Sequence, residues 1–169
     1  MWSLLKKAEI SEDVAQDLAR GVDLLVETGA PIREIRLFGG LHKGAWRRFD
    51  KGSLRKSDID LAVFMDDDPR YSVFANPISL TLDSKMELVP VLYGPTPEQR
   101  RLVETISDSP DLIFSSRYEL HIVTPSDLKR FRREKVYLQN MSHQQSLSLG
   151  KKSFRPFVRA MKRGRVLYP

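Results

Sequence analysis

The chain has 169 residues, 41% of them apolar, which is enough to bury one core and too short for a second full domain. It contains no cysteine, which excludes a disulfide framework, a thiolate zinc site and a cysteine nucleophile. Its net charge of +6 is uneven: residues 1–128 carry 16 Lys/Arg against 21 Asp/Glu, residues 129–169 carry 12 against one. An acidic body beside a basic quarter fits a carboxylate-lined site next to a surface for polyanions such as RNA, DNA or nucleotide phosphates; a merely solvated basic helix would read the same way. No signal-peptide pattern opens the sequence and no run reaches the ~20 apolar residues of a membrane span, so a cytoplasmic protein without a membrane partner is expected.

Ser11, Glu12 and Asp13 mark a helix start, and Val14, Leu18, Val22, Leu25 and Val26 follow at helical spacing until Gly29 and Pro31. Residues 33–38 (REIRLF) alternate as a strand with one buried face and run into Gly39-Gly40. Residues 41–57 hold six Lys/Arg and two further glycines and read as a short helix and a basic loop. A second strand covers residues 58–64 (DIDLAVF), an acidic turn follows at Asp66, Asp67 and Asp68, and the stretch to Ser84 is ambiguous between strand and irregular structure.

Residues 86–93 (MELVPVLY) predict a third strand, with Pro90 marking an edge or bulge, and residues 97–107 a helix. A short strand at residues 119–123 (ELHIV) leads into a helix begun by Thr124 that carries Leu128, Phe131, Val136 and Leu138. After Asn140 a polar connection precedes a last helix over residues 154–162 and a closing Val166-Leu167-Tyr168. The fold class is α/β (α+β mixed), a small mixed sheet packed on helices, with a core at 1–128 and a basic helical extension at 129–169 packed on it.

The chemistry concentrates around Asp58 and Asp60. Side chains two apart on a strand share a face, so these carboxylates would stand together and call for a counter-charge such as a divalent cation with oxygen ligands. A third carboxylate would complete a two-ion phosphoryl-transfer site. Glu87, at the start of the next apolar strand, is the candidate, with Asp83 as the fallback. The Gly39-Gly40 turn lets backbone N–H groups approach phosphate oxygens. His121, on one strand face with Glu119, reads as a structural histidine, and Trp46 as a partly buried anchor.

The segments Leu37-Phe38-Gly39-Gly40, Lys43-Gly44, Ser57-Asp58-Ile59-Asp60-Leu61 and Met86-Glu87-Leu88-Val89 together resemble the polymerase-beta-like nucleotidyltransferase superfamily, in particular its minimal members. The likeness is close over about residues 33–93. It implies a palm-like nucleotidyltransferase fold in which Asp58 and Asp60 bind two Mg²⁺ ions and Glu87 helps hold and deprotonate the acceptor hydroxyl. Gly39, Gly40 and Lys43 would hold the NTP, ATP first among candidates. Gly40 stands where many members carry Ser, residues 41–57 make a longer spacing than is usual, and Glu87 stands where Asp is commoner. The implied acceptor is RNA, tRNA among them, or a partner protein, as in toxin–antitoxin systems. The rival expectation is a non-catalytic nucleic-acid-binding or scaffold protein of the same fold, favoured if Glu87 lies away from the aspartates.

Overall fold

The computed structural model describes residues 12–42, 58–82, 85–130, 136–139, 146–149 and 151–169. Helix α1 (Glu12–Glu27) opens on Glu12 and Asp13, carboxylates suited to the partial positive charge of a helix N-terminus. Val14, Leu18, Val22 and Leu25 line its buried face. The helix ends where Gly29 takes φ 69° and donates its N–H to the Val26 carbonyl at 3.1 Å. Strand β1 (Ile32–Phe38) and the one-turn helix α2 (Gly39–His42) follow, and after residues 43–57 comes β2 (Ile59–Met65). A 3₁₀ turn at Pro69–Tyr71 leads to β3 (Pro77–Leu82) and β4 (Leu88–Tyr93). Helix α3 (Pro97–Ser107), begun by a capping box between Thr96 and Gln99, precedes β5 (Tyr118–Val123). A 3₁₀ turn at Ser115–Arg117 precedes β5, and the short α4 (Pro125–Arg130), β6 (Val136–Gln139), β7 (Ser146–Leu149), α5 (Lys151–Arg163) and β8 (Arg165–Tyr168) complete the described elements.

These strands form two four-stranded sheets, ordered β5-β2-β1-β8 and β3-β4-β6-β7. In the first, β2 is antiparallel to β1 and parallel to β5, so the sheet is mixed. A parallel neighbour needs a long crossover, and the segment containing α3 supplies it. One face of this sheet, with Ile35, Leu37, Ile59, Leu61, Val63, Leu120 and Ile122, joins α1 and α3 in the larger core cluster. On the other face Phe38, Ala62 and Val123 pack with Tyr93 and with Met161 of α5. Burial on both faces is why LAVF in β2 reads as a continuous apolar run.

Of the single helix expected from Thr124 through Leu138, residues 125–130 are helical, residues 131–135 lie outside the described residues, and residues 136–139 form instead a strand parallel to β4. Val136 and Tyr137 are strand formers, and pairing on two sides outweighs the weak helical pattern. Residues 146–149 (SLSL), expected as polar connection, alternate with period two and pair antiparallel with β6. The closing Val166-Leu167-Tyr168 is the edge strand beside β1, with Arg36 opposite Val166. The ambiguous stretch before Ser84 contains the 3₁₀ turn and β3.

Asp17 ties α1 to the start of β5. Its carboxylate is 4% exposed and accepts from the Ile113 N–H at 2.6 Å and from the Tyr118 hydroxyl at 2.9 Å. Burial first, and the Asp17 carboxylate second, raise the Tyr118 hydroxyl well above the ordinary tyrosine range. A folded-state pKa above the unfolded value gives stability that is full below about pH 10 and is lost as pH rises beyond it. Tyr118→Phe should therefore lower stability by about 1 kcal/mol near neutral pH. In urea unfolding, the gap between wild type and variant should narrow as pH is raised to about 11, because the variant has no phenol to ionise on unfolding.

Candidate functional site

Strand register brings the polar groups together. Antiparallel pairing sets Phe38, the last residue of β1, opposite Asp60, so the chain leaving β1 turns beside the Asp60 carboxylate. Gly39 makes that turn at φ 75°, a left-handed conformation that costs a side chain energy. Space imposes the same requirement: a Cβ on Gly39 would lie 1.9 Å from Asp60 Oδ2. Gly40 follows as an exposed residue in the first turn of α2.

Parallel pairing places Glu119 opposite Asp60 and His121 opposite Ala62. Residues two apart on a strand share a face, so Glu119 and His121 both stand on the Asp60 side. The small Ala62 leaves room for the imidazole, and the Phe38 ring meets it edge-on with centroids 5.1 Å apart. His121 Nε2 is buried, 3.6 Å from Asp60 Oδ1 and 3.8 Å from Glu119 Oε2. One ligand atom from each of Asp60, Glu119 and His121 falls within 4.8 Å of the others. The three side chains are only 16–21% exposed, so their charges meet little solvent screening. Two carboxylates and an imidazole at this spacing fit a divalent cation.

Asp58 is half-buried, just before β2, and is not one of the three clustered ligands. Glu87 was expected on a strand beside the aspartates, and the sheet order corrects this. It is exposed at the turn before β4, in the second sheet, whereas the neighbours of β2 are β1 and β5. Glu119 supplies the carboxylate opposite Asp60 instead. Lys43, Trp46 and Asp83 lie outside the described residues. The acidic turn is engaged locally: Asp68 caps the 3₁₀ turn and pairs with Arg70, and Asp67 accepts from Ser126.

Of Glu119 and His121 the sequence shows only that ELHIV sets both polar side chains on one face; that this face meets Asp60 follows from the pairing of β5 with β2, which are far apart in sequence. A cleft of about 250 Å³ lies at the other end of β2, between Arg33, Glu34, Phe64, Met65 and Leu128, away from this polar group. No family model, no curated protein and no solved structure matches the chain.

Gly39→Ala tests the turn. Gly29 has a similar positive φ but open space around its Cβ position, so Gly29→Ala should cost only the backbone term, about 1–2 kcal/mol. Gly39→Ala should cost more, because it also displaces the Asp60 carboxylate; denaturant titration of both variants measures the difference.

Proposed function

We propose that the chain is a divalent-metal-dependent nucleotidyltransferase, moving a nucleoside monophosphate from an NTP to a hydroxyl acceptor. The observation that supports this most is Asp60 held between the Gly39 turn on β1 and Glu119 on the parallel strand β5. The expectation was Asp58 and Asp60 together with Glu87; here the glycine turn stands beside Asp60 alone, and this reading gives Glu119, on the adjoining strand, the part of the further carboxylate. Asp60 and Glu119 would hold the cation, Mg²⁺ by the resemblance with two ions as its usual complement, while Asp58, which the resemblance also implies, stands half-buried just before β2. A bound ion there supplies charge neutralisation to the triphosphate and to the leaving pyrophosphate.

In this reading the side-chain-free turn at Gly39 and Gly40 admits the triphosphate close to the backbone. The acceptor hydroxyl oxygen attacks the α-phosphorus and forms a new O–P bond. The P–O bond to the β-phosphate breaks, and its electron pair leaves with pyrophosphate. The hydroxyl proton passes to a carboxylate of the cluster, for which Glu119 is placed beside Asp60.

RNA, tRNA included, is the favoured acceptor, because residues 129–169 are strongly basic and Arg159, Lys162 and Arg163 of α5 are exposed. A partner protein is the second reading, as in a toxin–antitoxin pair. It rests on Ile78, Leu80 and Leu82, which are 45%, 54% and 52% exposed along the outer strand β3 and make an apolar stripe that charge does not explain.

Incubation with each α-³²P-labelled NTP and a divalent cation, with total RNA or cell lysate, tests the proposal. Wild type should label RNA or a protein band. Asp60→Ala and Glu119→Gln should lose about 100-fold or more of that transfer, while Glu87→Gln should stay within about threefold. No label with any NTP, and no cation-dependent NTP binding by calorimetry, would leave the non-catalytic binding protein as the better reading.

A further inference from the structure

The resemblance to nucleotidyltransferases implies Mg²⁺, a hard ion that takes oxygen ligands and keeps much of its water. The donor set on β2 and β5 is different, because a nitrogen stands among the oxygens. His121 Nε2 lies 3.6 Å from Asp60 Oδ1 and 3.8 Å from Glu119 Oε2. Those separations exceed a hydrogen bond, whose N···O distance is about 2.7–3.2 Å. They are near the spacing of ligands that share one ion, since bonds of about 2.1 Å place tetrahedral ligand atoms about 3.4 Å apart. The approach is built into the sheet: parallel register fixes Glu119 opposite Asp60, Ala62 makes room for the imidazole, and the Phe38 ring meets its side. Gly39 lies against Asp60 Oδ2, while Oδ1 faces His121.

We propose that Asp60, Glu119 and His121 form a mixed oxygen and nitrogen site that selects a first-row transition cation, of the Mn²⁺ or Zn²⁺ class, over Mg²⁺. An imidazole raises affinity for these ions in the usual divalent order and adds little for Mg²⁺, whose preferred ligands are carboxylate, carbonyl and water oxygens. With no cysteine in the chain, thiolates cannot compete for Zn²⁺. The inference shares the site of the proposed transfer reaction but does not need turnover, so it is tested without nucleotide.

The experiment titrates metal-free full-length protein with Zn²⁺, Mn²⁺ and Mg²⁺ separately by calorimetry, and follows Mn²⁺ independently through loss of the free-ion EPR signal. Wild type should bind Zn²⁺ and Mn²⁺ at least about tenfold more tightly than Mg²⁺. His121→Ala should remove most of that preference while changing Mg²⁺ affinity little. His121→Asp, which makes the cluster all-oxygen, should shift the preference toward Mg²⁺. Metal-free thermal unfolding of each variant separates loss of a ligand from loss of fold. Equal affinities in wild type, or a preference that survives His121→Ala in a folded protein, would overturn the assignment. Selective binding in a protein that transfers no label would keep this site and dismiss the transferase.

Discussion

The position of β2 is the constraint on which the polar cluster depends. This strand is paired on both sides, antiparallel to β1 and parallel to β5, and Ile59, Leu61, Val63 and Met65 are buried beneath it. A slip of one residue would turn those four side chains toward the polar face and drive Asp60 into the apolar core, so hydrophobic burial fixes the register. Once register is fixed, Asp60 has no choice of neighbours: Phe38 and the glycine turn stand on one side, Glu119 on the other. The site is therefore precise because it sits on strands rather than on loops. The apolar pattern that makes the core also sets the separation of the charged groups.

The sheet itself was largely legible in the sequence. The alternation in REIRLF, the apolar DLAVF and the short ELHIV each became strands close to their expected limits, and α1 and α3 carried ordinary helix signals. Less legible was which strand lies beside which. Glu87 and Glu119 each begin a strand-like run, and local pattern treats them alike; only non-local pairing, which sets β5 beside β2 and β4 in another sheet, tells them apart. Residues 125–149 misled for a related reason. Basic residues spaced among Leu128, Phe131 and Val136 resemble an amphipathic helix, and the pairing that makes strands of 136–139 and 146–149 is non-local.

Within the site, Gly39 and Asp60 were singled out by residue type, because a glycine after an apolar strand and an aspartate beginning one each point to a special environment. His121 was harder to place. A histidine between a leucine and an isoleucine is compatible with simple packing, and its Phe38 contact fits that role as well. What distinguishes it is the pair of carboxylate oxygens near Nε2, a property of two paired strands taken together.

The pairing of β1 with β8 carries a consequence for the molecule's vulnerability. The Arg36 guanidinium bridges Glu34 and the carbonyl oxygens of Lys162 and Gly164, so it fastens the junction of α5 and β8 to the middle of β1. Gly164 fits there because a Cβ would lie 2.6 Å from the Leu37 carbonyl oxygen. Were this unit to detach, β1 would become an open edge, its N–H and C=O groups unpaired and its Phe38 stripped of Met161. An exposed edge of this kind recruits strands from other molecules. The α5–β8 segment thus serves as a guard against intermolecular sheet growth, at the strand that leads directly into the glycine turn.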